Sequence, residues 1–394
     1  MTKIWIFAWL WLTPLFLTAR AVADDPNETQ GVIYEFERQA LTKTYFSEGA
    51  GVGDLNGDGI PDVVYGPYWF AGPDYETAYE IYPPKPQPMN AYADHFFAWV
   101  CDFNGDGWND IFVVGFPGTP AFVYENPGED VATAGHWKKH QVFDWVSNES
   151  PQFTDLTGDG RPELVCTREG MFGFAVPQWG SFEPWKFHRI SGAIAPDRFG
   201  HALGVGDIDG DGKMDVLMQN GWFRNPGPEH DGLWEFHAHV FCGPGGADMY
   251  AYDVNGDGLN DVITSVDAHG HGLVWWEQVR QGDGAISFKE HKIMGSKPSE
   301  NAYGLHISEL HSVRLADIDG DGLLDIVTGK TFWSHHRKSL EWDAGPYVVW
   351  FRLNRTAGGQ VEWIPHLADD QAGIGRQIVV TDVTGNGLPD IVVG

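Results

Sequence analysis

The sequence predicts an all-β fold, a seven-bladed β-propeller of four-stranded blades, from three observations. A nine-residue acidic motif occurs seven times. Each copy runs into a short β-branched segment that ends near glycine. An aromatic-x-x-His segment precedes most copies.

The copies are DLNGDGIPD (54–62), DFNGDGWND (102–110), DLTGDGRPE (155–163), DIDGDGKMD (207–215), DVNGDGLND (253–261), DIDGDGLLD (317–325) and DVTGNGLPD (382–390). Their first residues are 48, 53, 52, 46, 64 and 65 apart, a period that marks a solenoid or propeller array. One strand enters the acidic loop, and a second leaves it as DVVYG, DIFVVG, DVLM, DVITS, DIVTG or DIVVG. A third is aromatic, as in GWFRNPG and GLVWWEQ. A fourth carries WKKH (137–140), WKFH (185–188), WEFH (234–237), FKEH (288–291) or WIPH (363–366). β-Branched and aromatic runs bounded by Gly and Pro read as strands, and radial repetition of four-stranded sheets protects their edges. No stretch shows a long 3.6-residue apolar period, so helix is expected to be minor. FERQ (36–39) ends 15 residues before Asp54, as WKKH ends 15 before Asp155. The N-terminal strand is therefore expected to complete the last blade and close the ring.

Positions 1, 3, 5 and 9 of the motif supply oxygen-bearing side chains, and position 7 can offer its carbonyl. The ligand sets are Asp54, Asn56, Asp58 and Asp62; Asp102, Asn104, Asp106 and Asp110; Asp155, Asp159 and Glu163; Asp207, Asp209, Asp211 and Asp215; Asp253, Asn255, Asp257 and Asp261; Asp317, Asp319, Asp321 and Asp325; and Asp382, Asn386 and Asp390. Six to eight hard oxygens suit calcium, and the glycines permit a tight wrap. An EF-hand needs glutamate at position 12, where these copies have Tyr65, Val113, Cys166, Met218, Thr264, Thr328 and Val393. With strands on both sides, that excludes EF-hands.

These loops resemble the FG-GAP or VCBS repeats of integrin α-subunit propellers, whose D-x-D-x-D-G-x-x-D loops bind calcium between the first two strands of a blade. The resemblance covers nearly all of 34–394 and implies the fold and several structural calcium ions; function must come from the site itself. Copy three departs at Thr157 and Glu163 and copy seven at Thr384 and Asn386, so the seventh is expected to bind most weakly.

The chain has 25 Lys plus Arg against 55 Asp plus Glu, a net charge of −30. Such a surface repels phosphate backbones and argues against nucleic acid as a partner. Of the acidic charges, 22 stand at loop positions 1, 3, 5 and 9, so ion sites rather than a basic partner explain much of the excess. Three cysteines are too few for a disulfide framework. Lys3, the apolar run Ile4–Ala19, Arg20 and then Ala21-Val22-Ala23 read as a secretory signal peptide over 1–23. A linker over 24–33 and the propeller over 34–394 follow. The mature protein is expected to be exported, periplasmic, cell-surface or extracellular, with no membrane span after signal cleavage. The pattern admits a further C-terminal domain.

Residues that break the repeat bear on function. Six residues before each loop, at the start of the innermost strand, stand Glu48, Phe96, Glu149, His201, Ala247, His311 and Arg376, with His95 and Asp248 next to two of them. Equivalent innermost positions converge on the axis of a ring, at the face opposite the acidic loops. Connections from second to third strands return to that face and bring VDAHGHG (266–272) and GKTFWSHH (329–336). One mouth is therefore expected to gather His95, Glu149, Asp248, His269, Trp333 and His335 as ligand-facing groups. The same mouth holds His201, His271, His311, Lys330 and Arg376 as candidates for chemistry. Imidazoles with carboxylates suit one zinc-like ion or acid–base work near neutral pH. The five histidines of the fourth strands are assigned to structure.

VDAHGHG together with HSVRLADIDGDG also resembles, over a short span, the propeller part of aldos-2-ulose dehydratase. That resemblance implies a histidine near the axis, carried here onto His311 and His269–His271. Three functions stay in view: a calcium-stabilised propeller binding a polar small molecule, carbohydrate or protein at its mouth; a metal-assisted sugar lyase or dehydratase; and a non-catalytic adhesion or scaffold module.

Overall fold

The computed structural model describes residues 20–22, 33–332, 338, 340–356 and 358–394. Trp333, His335 and all of the 1–23 segment but Arg20–Val22 lie outside the described residues. Among the described residues the protein is all-β, with only two short 3-10 turns, Gly128–Asp130 and Pro298–Glu300. No helix of the described residues is long and apolar enough to cross a membrane.

Six four-stranded antiparallel units follow one another in a propeller-like arrangement. Their first strands are Ala50–Gly53, His95–Cys101, Gln152–Thr154, Leu203–Gly206, Asp248–Tyr252 and Val313–Ala316. Each first strand turns through its acidic loop into a second strand beginning at the motif's last residue: Asp62, Asp110, Glu163, Asp215, Asp261 or Asp325. The two positive-φ glycines of every loop, such as Gly57 and Gly59, make that turn. A terminal pair, Ile378–Thr381 with Asp390–Val393, repeats the inner half of the unit. Units four and five are joined into one eight-stranded sheet by parallel pairing of Leu203–Val205 with Asp248–Tyr250.

Burial follows from the placement of apolar residues on facing sheets. There is no single core. Each hydrophobic cluster is shared by two consecutive units, as Leu55, Val64 and Trp69 of unit one with Ile111 and Tyr124 of unit two. The series runs on to unit six with the terminal pair, through Trp350 and Ile391. It closes where Val383 of the terminal pair packs on Val63, Phe70 and Tyr75 of unit one. Closure is also made by backbone, since Arg376 N donates to Glu48 O at 2.6 Å. Gly375 permits this approach, because a Cβ there would lie 1.6 Å from Glu48 O.

Four of the five fourth-strand histidines are packed into their own sheets, and His140 pairs instead with Val123. His188, His237, His291 and His366 each pair across the ladder with the third-strand aromatic of their own unit and stack on it at 4.2–5.1 Å. The three cysteines are free thiols.

One expectation is corrected. Residues 36–39 form no strand and do not complete the last unit; Ile33–Glu35 pairs instead with Arg20–Val22. A fourth strand bonds to a third, and among the described residues Asp390–Val393 pairs only with Ile378–Thr381. The segment still lies beside that region. Arg38 donates to Gln371 Oε1 at 2.9 Å, and Phe36 packs on the last cluster. A groove of about 510 Å³ separates residues 38–45 from Asp390–Gly394.

Candidate functional site

The acidic loops are organised by their own carboxylates. In the first, Asp54 accepts from Gly57 N and Gly59 N at 2.7 and 2.9 Å, and Asp58 accepts from Ile60 N at 2.8 Å. Asp62 is fully buried and accepts from Leu55 N and from Gly72 N, at the end of the third strand. The same pattern recurs around the ring. Burial, with neighbouring aspartates adding to it, pushes Asp110, Asp215, Asp261 and Asp325 up to about 7.

Two loops bring three carboxylates within 4.8 Å of one another: Asp207, Asp209 and Asp215, and Asp317, Asp319 and Asp325. An all-oxygen, anionic donor set of this kind fits a hard divalent cation. These are the two copies with aspartate at position 3, and each receives an arginine from its third-strand segment. Arg224 contacts Asp209 and Asp211, and Arg352 lies 2.6 Å from Asp319. The extra carboxylate is thereby matched by a guanidinium, a pairing that the repeat pattern alone does not display.

The first strands line a channel of about 270 Å³ along the axis, with Val52, Phe97, Asp248, Val313 and Ile378 on its wall. His201, before the first strand of unit four, His311, before that of unit six, and His269, in the 266–272 loop of unit five, converge, each offering a ring nitrogen within 4.8 Å of the others. Their ring centroids are 5.0, 5.6 and 4.8 Å apart. His311 is buried, His201 half-buried and His269 exposed, so the cluster opens to solvent on one side.

The sequence reading missed Glu309, which is 1 % exposed with Oε2 3.5 Å from His311 Nδ1. Burial raises its carboxyl to about 7 against the opposing pull of His269, Lys330 and Arg376. Its backbone is left-handed, at φ 67°, and its carbonyl accepts from both His311 N and Thr331 N at 3.0 Å. Phe199 and Ala202, flanking His201, share that uncommon conformation at φ 56° and 59°. Such backbone strain persists only where surrounding structure over-determines it. A carboxylate two residues before a singled-out histidine was the available signal.

Lys330 is 1 % exposed and donates to Ser308 Oγ at 2.7 Å and Leu340 O at 3.1 Å; burial lowers its pKa. Arg376 and Glu149, both buried, pair at 3.0 Å. Glu48 stands near this pair, accepting from Tyr45 Oη and from Ala93 N. Its carboxyl is raised by burial, and Arg376 acts against that rise.

Three expected members of the mouth are turned elsewhere. His95 has Nδ1 3.1 Å from the Tyr82 hydroxyl, inside unit two. Asp248 faces down the channel and accepts from Gln152 Nε2, Ser312 Oγ and Val313 N at 2.9–3.0 Å. His271 points away from the triad, to Glu341 Oε2 at 3.2 Å.

Comparison with known proteins agrees with the architecture. A family model described as FG-GAP-like repeat matches residues 102–166, 155–218 and 253–328. Integrin alpha-PS5 of Drosophila melanogaster is 24% identical over 258 residues, 56% of this chain and 25% of that protein. Integrin alpha-PS3 of the same organism is 25% identical over 167 residues, 36% of this chain and 14% of that protein. The chain thus spans a quarter or less of these relatives. An Agrocybe aegerita lectin that recognises non-reducing terminal N-acetylglucosamine superposes with a TM-score of 0.51, at 16% identity, over 93% of both chains. Residues 102–218 and 253–328 of this propeller-like chain thus carry FG-GAP-like repeats, and the chain is similar in part to integrin α-subunits.

Proposed function

We propose that this chain is an exported seven-bladed propeller, with calcium in its acidic loops, that binds a small polar ligand of the carbohydrate class through one zinc-like ion at its axial mouth. In this reading the terminal pair is the inner half of the seventh blade. The observation that carries it is the convergence of His201, His269 and His311 from three separate loops onto a space only 4.8 Å across. Three imidazoles leave an ion an open position for water or ligand. Glu309 and Lys330 add a carboxylate and an ammonium beside it. The lectin of similar fold makes sugars the first ligands to screen.

Elemental analysis after mild chelation and return to calcium tests the ion. Wild-type protein is expected to retain one zinc-like ion that His201→Ala and His311→Ala lose, with melting curves unchanged. Retention of the ion by both variants, or calcium alone in the wild type, refutes the site and leaves a calcium-bound adhesion or scaffold module.

A second reading, a metal-assisted sugar lyase or dehydratase, is favoured by Glu309 and Lys330 lying buried beside the histidines rather than on the rim. It requires that Glu309→Gln abolish turnover of a sugar acid or keto-sugar while the ion stays bound.

A further inference from the structure

In each four-stranded unit the second strand is held on both sides, by the first strand and by the third. Two contacts recur along its outer side. The motif's last aspartate accepts, through Oδ1, from a backbone N–H in the third strand or just past it. Gly72, Asn126, Asn225, Gln278 and Leu353 donate in this way to Asp62, Asp110, Asp215, Asp261 and Asp325 at 2.7–3.0 Å. Two residues further on, the second strand meets an aromatic of the third in five units. Val64, Leu217, Ile263 and Val327 pair with Trp69, Trp222, Trp275 and Trp350, and Val165 pairs with Phe174. All five of these second-strand residues are 0% exposed.

The terminal pair keeps the inner contacts and differs on the outer side. Asp390 is 2 % exposed, and its Oδ2 accepts from Val383 N and Thr384 N, as Asp62 Oδ2 does from Leu55 N. Its Oδ1 is also buried, yet it meets no donor among the described residues. A buried acceptor in that condition is costly to keep. Val392, in the place of Val327, is only half-buried. Both residues stand on the wall of the groove of about 510 Å³, which Val63, Tyr65 and Tyr75 of unit one also line. The groove continues the apolar cluster that closes the ring, since Val392 packs on Val63 and Tyr75. One side of this strand therefore offers an unpaired backbone edge, a buried acceptor and an apolar hollow, in the register that the other units use.

Such an edge is a template for an added strand, with main-chain bonds giving affinity and a side-chain pocket giving specificity. The third strands of this chain are each bonded on both sides within their own units, so a second copy has none free to give. We propose that the outer edge of Asp390–Val393 docks an extended segment of a separate polypeptide as an antiparallel third strand. The segment donates a backbone N–H to Asp390 Oδ1 and sets a tryptophan-sized aromatic opposite Val392. This rests on reading the terminal pair as the inner half of a blade, and it is independent of the axial ion.

The probe is a labelled peptide of the sequence Leu273–Arg280, LVWWEQVR, the third strand of unit five. Its one acid and one base leave it without net side-chain charge, so the −30 of the chain does not attract it. Full-length protein in calcium is titrated with this peptide by fluorescence anisotropy, and amide hydrogen exchange is followed with and without it. Saturable binding is expected, with new protection confined to the amides of 390–394. The peptide carrying Trp275→Ala is expected to bind about tenfold or more weakly, as truncation of a buried aromatic anchor does. No saturable binding, equal binding of the two peptides, or protection elsewhere overturns the proposal. Protection of 390–394 already present without peptide also overturns it. If that protection rises with protein concentration, a second copy holds the edge; if it does not, a segment of the same polypeptide does.

Discussion

His95 is 2 % exposed, with the Tyr82 hydroxyl 3.1 Å from its Nδ1, and burial, against a weaker backbone hydrogen bond with Phe97, lowers its pKa from 6.5 to about 4. Removing an imidazolium from water disfavours the charged form. As pH falls, the unfolded chain takes up this proton near 6.5 and the folded chain only near 4. The stability His95 contributes is therefore present above pH 6.5 and lost between 6.5 and 4. The linkage is worth on the order of 3 kcal/mol. The buried loop carboxylates act with the opposite sign, because their raised pKa values make the folded state hold protons longer. A difference measurement isolates the histidine. Urea unfolding at pH 7.5 and 4.5 is expected to show that His95→Gln loses markedly less stability on acidification than wild type. Equal losses in the two proteins would show that His95 does not titrate differently on folding.

At the scale of the element, the unit is an acidic hairpin tied to its neighbour by an amide. Asn126 ends the third strand of unit two; its backbone N–H meets Asp110 Oδ1 at 2.8 Å. Its side-chain amide donates to Asn109 O in its own loop and to Leu55 O in the loop of unit one, both at 2.8 Å. Asn225 and Gln278 repeat this bridge to Leu156 O and Ile208 O. Asn126→Ala strands two buried carbonyls at once, so a loss of roughly 2–6 kcal/mol is expected in denaturant unfolding, from about 1–3 per group. A variant within 0.5 kcal/mol of wild type would mean water replaces the amide. The hairpins themselves were readable from spacing, because positions 1 to 9 are local and repeated seven times. The bridge was not, since the quoted GWFRNPG shows the asparagine but not which neighbour's carbonyl it meets. The same limit applies at the mouth. His201, His269 and His311 could be listed from strand starts and loops, whereas Glu309 and Glu341 occur once each, and only tertiary packing assigns their directions.

For the whole molecule, stability lies in a ring of interfaces rather than in a centre. Every cluster joins two consecutive units, and the last joins the terminal pair to unit one through Val383, Phe70 and Tyr75. Such a ring couples its loops: loosening one hairpin slackens the sheet to which both neighbours are packed. Residues 36–39 show where repeat logic stops, since their spacing predicted a closing strand, yet closure is made by Arg376 N on Glu48 O and by side-chain packing. The acidic hairpins all lie on one side of the sheets in a chain of net charge −30, so mutual repulsion of their carboxylates opposes the closed ring. A cation bound only by the folded loop adds about 2.7 kcal/mol per site at a hundredfold excess over its dissociation constant. Several such sites in one cooperative unit add within a single transition. Calorimetry in millimolar calcium is therefore expected to show one transition, shifted down by roughly 10 °C or more when a calcium chelator replaces the ion, at a few degrees per kcal/mol. Magnesium, which demands near-octahedral geometry and dehydrates reluctantly, should restore little of the loss. A melting temperature indifferent to the chelator would remove calcium from the account of this fold and leave the carboxylate-to-amide bonds as the whole support of the loops.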